Sequence, residues 1–222
     1  MPKKHTALIP IAIMVLIVTA ATVWVLQSSN GNIFTAVQEN NAQKVEEYIK
    51  AGQSPNSKNE LGMTPLHFAA YYGFESCAKA LINGGANVGL VDNQGNTPLH
   101  FAAEENKAMM INLLLGAGAE ASDQNSVGKT PLHLAAANFG RASAKALLES
   151  GASVDEKDAE GRTSLFEAVE LADMVLMESL VEHGASLTVK DAKGQTLADV
   201  AAGHPRLLAI LERLATTQPS RF

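Results

Sequence analysis

The sequence predicts an all-α solenoid of stacked 33-residue helix–turn–helix units, with one transmembrane helix ahead of it. Three observations carry that expectation. Gly62, Gly95, Gly128, Gly161 and Gly194 stand 33 residues apart. Thr64, Thr97, Thr130, Thr163 and Thr196 keep the same step, and Gly85, Gly118, Gly151 and Gly184 are each followed by Ala. A fixed period of this size marks a stack in which each unit buries its apolar face against the next. The third observation is an uncharged block, residues 6–26, that precedes every acidic residue of the chain.

Each part of a unit has a physical reason. Thr64 suits a helix N-cap, its hydroxyl accepting from a free backbone N–H. Pro65 then falls at the first helical position, where its fixed φ helps and its missing donor costs nothing. Leu66, Ala69 and Ala70 follow at helical spacing, and the alanines let neighbouring helices approach closely. Gly73 can close this helix in a left-handed conformation. A second helix runs through Cys77–Ile82 and ends at Gly84-Gly85 by the same device. Asn87 to Gly95 then makes an exposed turn into the next unit, with Asp92 and Gly95 as turn residues.

Thr-Pro-Leu-His occurs at 64–67, 97–100 and 130–133. The fourth copy, Thr163-Ser164-Leu165-Phe166, has lost Pro and His, and the fifth starts at Thr196-Leu197-Ala198-Asp199. Ile33-Phe34-Thr35-Ala36-Val37 aligns one period before Leu66. Over about residues 31–216 the chain resembles the ankyrin-repeat family, bacterial type with an N-terminal membrane anchor. The resemblance implies a repeat domain over 32–216: a cap at 32–58, repeats at 59–91, 92–124, 125–157 and 158–190, and a terminal half-repeat at 191–216. It also implies that the recurring histidines bond nearby turn backbone or the neighbouring unit's Thr. In the third unit Phe139 stands where Gly is expected, and in the fourth Ala172, so distorted inter-helix loops are expected there.

Residues 1–5 read as a basic tail, 6–26 as the anchor, 27–31 as a polar linker and 217–222 as a second tail. As a helix the 21-residue block would rise about 31 Å, enough to cross the hydrocarbon core. Lys3 and Lys4 precede it, and no Lys or Arg follows until Lys44. The positive-inside rule then keeps the N-terminus cytoplasmic and the repeats extracytoplasmic, at a bacterial inner membrane facing the periplasm. A cleaved signal, giving a secreted chain, is the alternative.

After Asn30 the chain carries 15 Lys and Arg against 23 Asp and Glu, a net charge of −8. A surface of that sign repels phosphate, which excludes nucleic acid as a partner. One cysteine, Cys77, rules out an intrachain disulfide and any Cys-based metal cluster. His67, His100 and His133 recur with the period, but good metal sites need several ligands converging on one point. Glu104-Glu105 and Asp155-Glu156 are adjacent in sequence, and adjacent helical residues point apart, so they make poor acid–base pairs. The reading is therefore of a non-enzyme with no catalytic, cofactor or metal residues and no small-molecule substrate.

The resemblance implies binding of a protein partner through the turn tips and first helices. The candidate residues on the turns are Leu61, Met63, Asn93, Gln94, Asn96, Val127, Lys129 and Arg162. On and beside the first helices they are Tyr71, Tyr72, Phe74, Glu104, Glu105 and Asn138. Tyr71 and Tyr72, with the acidic Glu104-Glu105 beside them, are expected at the interface centre, since Tyr is a typical anchor. The expected role is to hold, inhibit or protect a partner. A host-directed effector that uses the apolar block for export or anchoring is the alternative; a metal-dependent or enzymatic role is a third.

Overall fold

The computed structural model describes residues 31–217 of the chain. In chain order the helices are α1 (Ile33–Gln38), α2 (Ala42–Lys50), α3 (Pro65–Tyr72), α4 (Glu75–Asn83), α5 (Pro98–Glu104) and α6 (Ala108–Gly116). They continue with α7 (Pro131–Ala137), α8 (Arg141–Glu149), α9 (Ser164–Glu170), α10 (Met174–Glu182), α11 (Leu197–Ala201) and α12 (Pro205–Thr217). Among the described residues there is no strand, only an isolated antiparallel bridge between Lys190 and Thr196.

Odd-numbered helices pack on one another to form an inner layer, and even-numbered helices form an outer layer behind them. The core runs continuously between the layers. Leu66, Leu99, Leu132 and Leu165, one per unit at the same register, have no exposed surface. Ala69, Ala102, Ala135 and Ala168 are equally buried, and their small side chains set the close approach of the inner helices. At the start of the stack, the Asn32 side chain caps α1 by accepting from the Phe34 and Thr35 backbone N–H groups.

The turns are built as periodically as the helices. The side chains of Asn59, Asp92, Asn125, Asp158 and Asp191 each accept from the backbone N–H groups two and four residues on. Consecutive turns are then tied by a backbone ladder. Asn93 N donates to Leu61 O, Ser126 N to Gln94 O, Ala159 N to Val127 O and Ala192 N to Glu160 O.

Gly73 closes α3 with φ of +76°, as its position suggested. The second helix of that unit ends at Gly84-Gly85, where Gly84 is the cap with φ of −85° and Gly85 supplies the left-handed residue with φ of +90°. The loops at Phe139 and Ala172 are not distorted. Both residues take the left-handed conformation themselves, as do Asn40 and Asn106 at the same register. Packing of the helices on either side imposes that backbone whichever side chain is present.

The single-pass topology expected from the apolar block is corrected. Among the described residues no helix is long and apolar enough to cross a membrane. The longest, α12, has 13 residues and rises about 20 Å, short of a hydrocarbon core of about 30 Å. Residues 6–26 lie outside the described residues. The transmembrane helix, the cytoplasmic N-terminus, the periplasm-facing repeats and the secreted alternative are therefore set aside.

One buried charge organises the fourth unit. The Asp173 carboxylate has no exposed surface and accepts from Arg141 Nε at 2.9 Å and from the Leu176 N–H at 3.1 Å. It is both the cap of α10 and a tie to α8. An Asp173→Ala variant loses about 2 kcal/mol of stability, since a cap and a charge-assisted hydrogen bond go together. The midpoint of a urea titration measures it.

Candidate partner-binding face

The histidine ladder is satisfied within the fold. Thr64 N donates to His67 Nδ1 at 3.0 Å, so that nitrogen is an acceptor and the proton sits on Nε2. Nε2 then donates to the Asn96 carbonyl of the next unit at 3.0 Å. His100 repeats the arrangement between Thr97 and Lys129 O, and His133 between Thr130 and Arg162 O. The rings thus bond their own unit's Thr and the next unit's turn, not the next unit's Thr. Burial holds the His67 and His100 imidazoles down to about 4, against an ordinary 6.5, and lowers His133 as well. Neutral rings with both nitrogens engaged are structural fasteners. Cys77 is likewise sealed: its Sγ has no exposed surface and donates to Asn40 Oδ1 at 3.6 Å, and burial raises the thiol pKa.

The turn candidates separate into two columns. Leu61, Gln94 and Val127 share one register; Gln94 is exposed, Val127 is 56% exposed, and Leu61 is half-buried against the core. Met63, Asn96, Lys129 and Arg162 share another, which lies at the inward base of each turn. Met63 is only 2% exposed and belongs to the core. Asn96 bonds Asp92 and accepts from Asn125. Lys129 pairs with Glu167 at 2.8 Å, and Arg162 pairs with Glu170 at 2.6 Å while lying over the Phe166 ring. This column is committed to the stack. Asn93 is exposed, although its amide holds the Glu60 carbonyl of the preceding turn. The Asn138 side chain closes α7 by donating to Leu134 O.

The inner-helix candidates come together. Tyr71 and Tyr72, at the end of α3, meet edge to face with ring centres 5.0 Å apart. Tyr72 stacks on Phe74 at 5.2 Å, and Tyr71 sits edge-on to buried Phe101 at 6.3 Å. All three outer rings are half-buried, rooted in the core with one side open. Beside them Glu104 ends α5 and Glu105 follows it. Burial raises the Glu104 carboxyl, with Glu105 and then Asp92 adding repulsion. Burial also raises Glu105, opposed by Lys107. Tyr71 is raised by burial first, then by Glu105, Tyr72 and Glu104.

Three further features escaped the sequence reading. Glu167 is a buried acid where the preceding units carry Phe68, Phe101 and Leu134, so an acid in an apolar register was the available signal. Asp173 also breaks its register, where the preceding units carry Phe74, Lys107 and Gly140 and only Asn41 caps a helix from the same place. An open, mostly apolar hollow of about 500 Å³ lies beside Ala172, Met174, His204, Pro205, Arg206 and Leu207.

The family model for ankyrin repeats, in its three-copy form, matches residues 33–125 and 105–191. The chain belongs to the ankyrin-repeat family. A stretch of 61 residues, 28% of this chain, is 38% identical to a potassium channel of Arabidopsis thaliana, covering 8% of that protein. Another of 67 residues, 30% of this chain, is 30% identical to an ankyrin repeat-containing protein of Schizosaccharomyces pombe, covering 32% of it. The chain therefore spans less than two thirds of either curated relative. Ankyrin repeats imply protein–protein interaction.

Proposed function

We propose that this ankyrin-repeat chain is a binding module rather than an enzyme. It holds, inhibits or protects a partner protein engaged by the turn tips and the inner helices. The observation that supports this best is the shelf of Tyr71, Tyr72 and Phe74, three aromatic rings left half-open beside two carboxylates. Rigid aromatic side chains with one face in water are the usual anchors of an interface. The exposed tips at Asn93, Gln94 and Val127 form its rim.

The test is site-directed photo-cross-linking in the native cells. A photoreactive residue at Val127 traps a partner protein, and one at Glu182 on the outer layer does not. The double variant Tyr71→Ala/Tyr72→Ala abolishes the Val127 adduct while circular dichroism shows the helices intact. An undiminished adduct in that variant overturns the reading.

A further inference from the structure

The chain shows how it neutralises an acid at the end of an inner helix. Glu170 ends α9, where the last carbonyls already present partial negative charge. Arg162, eight residues upstream at the base of the turn, reaches across to pair with it at 2.6 Å and lies over the Phe166 ring at 5.4 Å. Glu104 occupies the same register two units earlier, at the end of α5. The position eight residues upstream of it is Asn96, which carries no charge. Lys129, in the same column as Asn96, is already taken by Glu167.

Among the described residues no cation lies within ion-pair distance of Glu104 or Glu105. Lys107 is the nearest in sequence; its charge eases Glu105 without pairing with it, and its aliphatic stem lies over Gly73. Glu104 and Glu105 thus lie at the unfavourable end of a helix, both partly buried, one period on from Tyr71 and Tyr72. An ammonium or a guanidinium would relieve all of this. Of the two, the planar guanidinium also stacks on aromatic faces and forks onto carboxylates.

We infer that the segment of the partner that docks here is basic, and that one of its arginines fills the shelf formed by Tyr71, Tyr72, Glu104 and Glu105. It supplies in trans the guanidinium that Arg162 supplies to Glu170 in cis. This rests on the protein-binding reading above and gives that partner its chemistry. The surplus of acid over base after Asn30 favours approach of the same kind of segment.

The experiment titrates the full-length chain with an eight-residue peptide of alternating Arg and Gly, by calorimetry at low and moderate salt. Versions with Lys or Gln at each Arg position serve as comparisons. The Arg peptide binds, loses affinity with salt, and outcompetes the Lys peptide; the Gln peptide does not bind. Glu104→Gln/Glu105→Gln weakens binding at least about tenfold, and the Tyr71→Ala/Tyr72→Ala variant weakens it comparably. Glu182→Gln, on the outer layer, leaves it unchanged. The Gln substitutions remove a repulsion, so these variants fold.

Absence of Arg-peptide binding, full affinity in the double Gln variant, or equal weakening by Glu182→Gln each overturns the inference. Cross-linking from Val127 separates the two proposals. If the Tyr variant loses the adduct while the double Gln variant keeps it, the basic partner is wrong and the binding module stands. If neither variant loses the adduct, both are wrong.

Discussion

Acidification from pH 6.5 to 4 destabilises this stack steeply, through three histidines buried within it. His67 and His100 titrate near 6.5 in an unfolded chain and at about 4 when folded, because burial opposes the charged ring. Between those values the unfolded state binds more protons than the folded one, so stability falls as pH falls. Above pH 6.5 the rings are neutral in both states and contribute no slope. By pH 4 each of the two costs about 3 kcal/mol, and His133, shifted the same way, adds to them.

Protonation also breaks a specific bond. Nδ1 accepts from the Thr64, Thr97 or Thr130 N–H, and an imidazolium cannot accept there. Glu104, Glu105 and Asp123 act in the opposite sense. Their carboxyls are raised in the fold, so the folded state takes up their protons first and gains stability as pH falls. Their gain opposes the loss from the histidines. Urea midpoints measured from pH 8 to 4 are flat above 6.5 and then fall steeply. A His100→Gln variant, which can donate and accept without titrating, falls less steeply. A flat profile down to pH 4.5 would show that the rings are not buried neutral.

The same histidines show how far the sequence could be read. Their 33-residue step placed them on the inner helices, and the Thr-Pro-Leu-His motif placed each beside its N-cap. What periodicity could not show is the second bond, from Nε2 to a carbonyl 29 residues on, because it depends on how far one turn overhangs the next. The same overhang explains the turn candidates. The column of Met63, Asn96, Lys129 and Arg162 looked exposed because it lies in a turn. Its residues immediately precede the extended N-cap threonines, and their side chains pack, bond or pair within the stack. Two residues earlier, Gln94 and Val127 are exposed, while Leu61 packs against the core. Tyr71, Tyr72, Glu104 and Glu105 were legible as neighbours, since residues one period apart sit on adjacent inner helices. That no cation of the described residues pairs directly with these carboxylates was not legible, because it turns on where the Lys107, Lys129 and Arg162 side chains lie.

The glycine ladder carries the second large effect, and it is a contact between units more than a property of one turn. Gly128 has φ of +74°, and a Cβ there would lie 2.7 Å from the Ala159 backbone nitrogen, which donates to Val127 O in the turn-to-turn ladder. Gly62, Gly95 and Gly161 meet the next turn in the same way, at 2.8 to 2.9 Å from Asn93, Ser126 and Ala192 nitrogens. Gly194 has φ of +81° but nothing within 4 Å, since no further turn follows it in the described residues. Gly194→Ala therefore measures backbone strain alone, about 1 kcal/mol. Gly128→Ala adds a clash with backbone that cannot rotate away, for a total of about 3 kcal/mol. Because each unit of such a stack touches only its neighbours, the damage is local. Amide exchange in Gly128→Ala accelerates in α9 to α12, which lose their seat on the third unit, more than in α3 to α5. If both variants lose the same stability, the turns do not bear on one another and the period of the glycines reflects turn geometry alone.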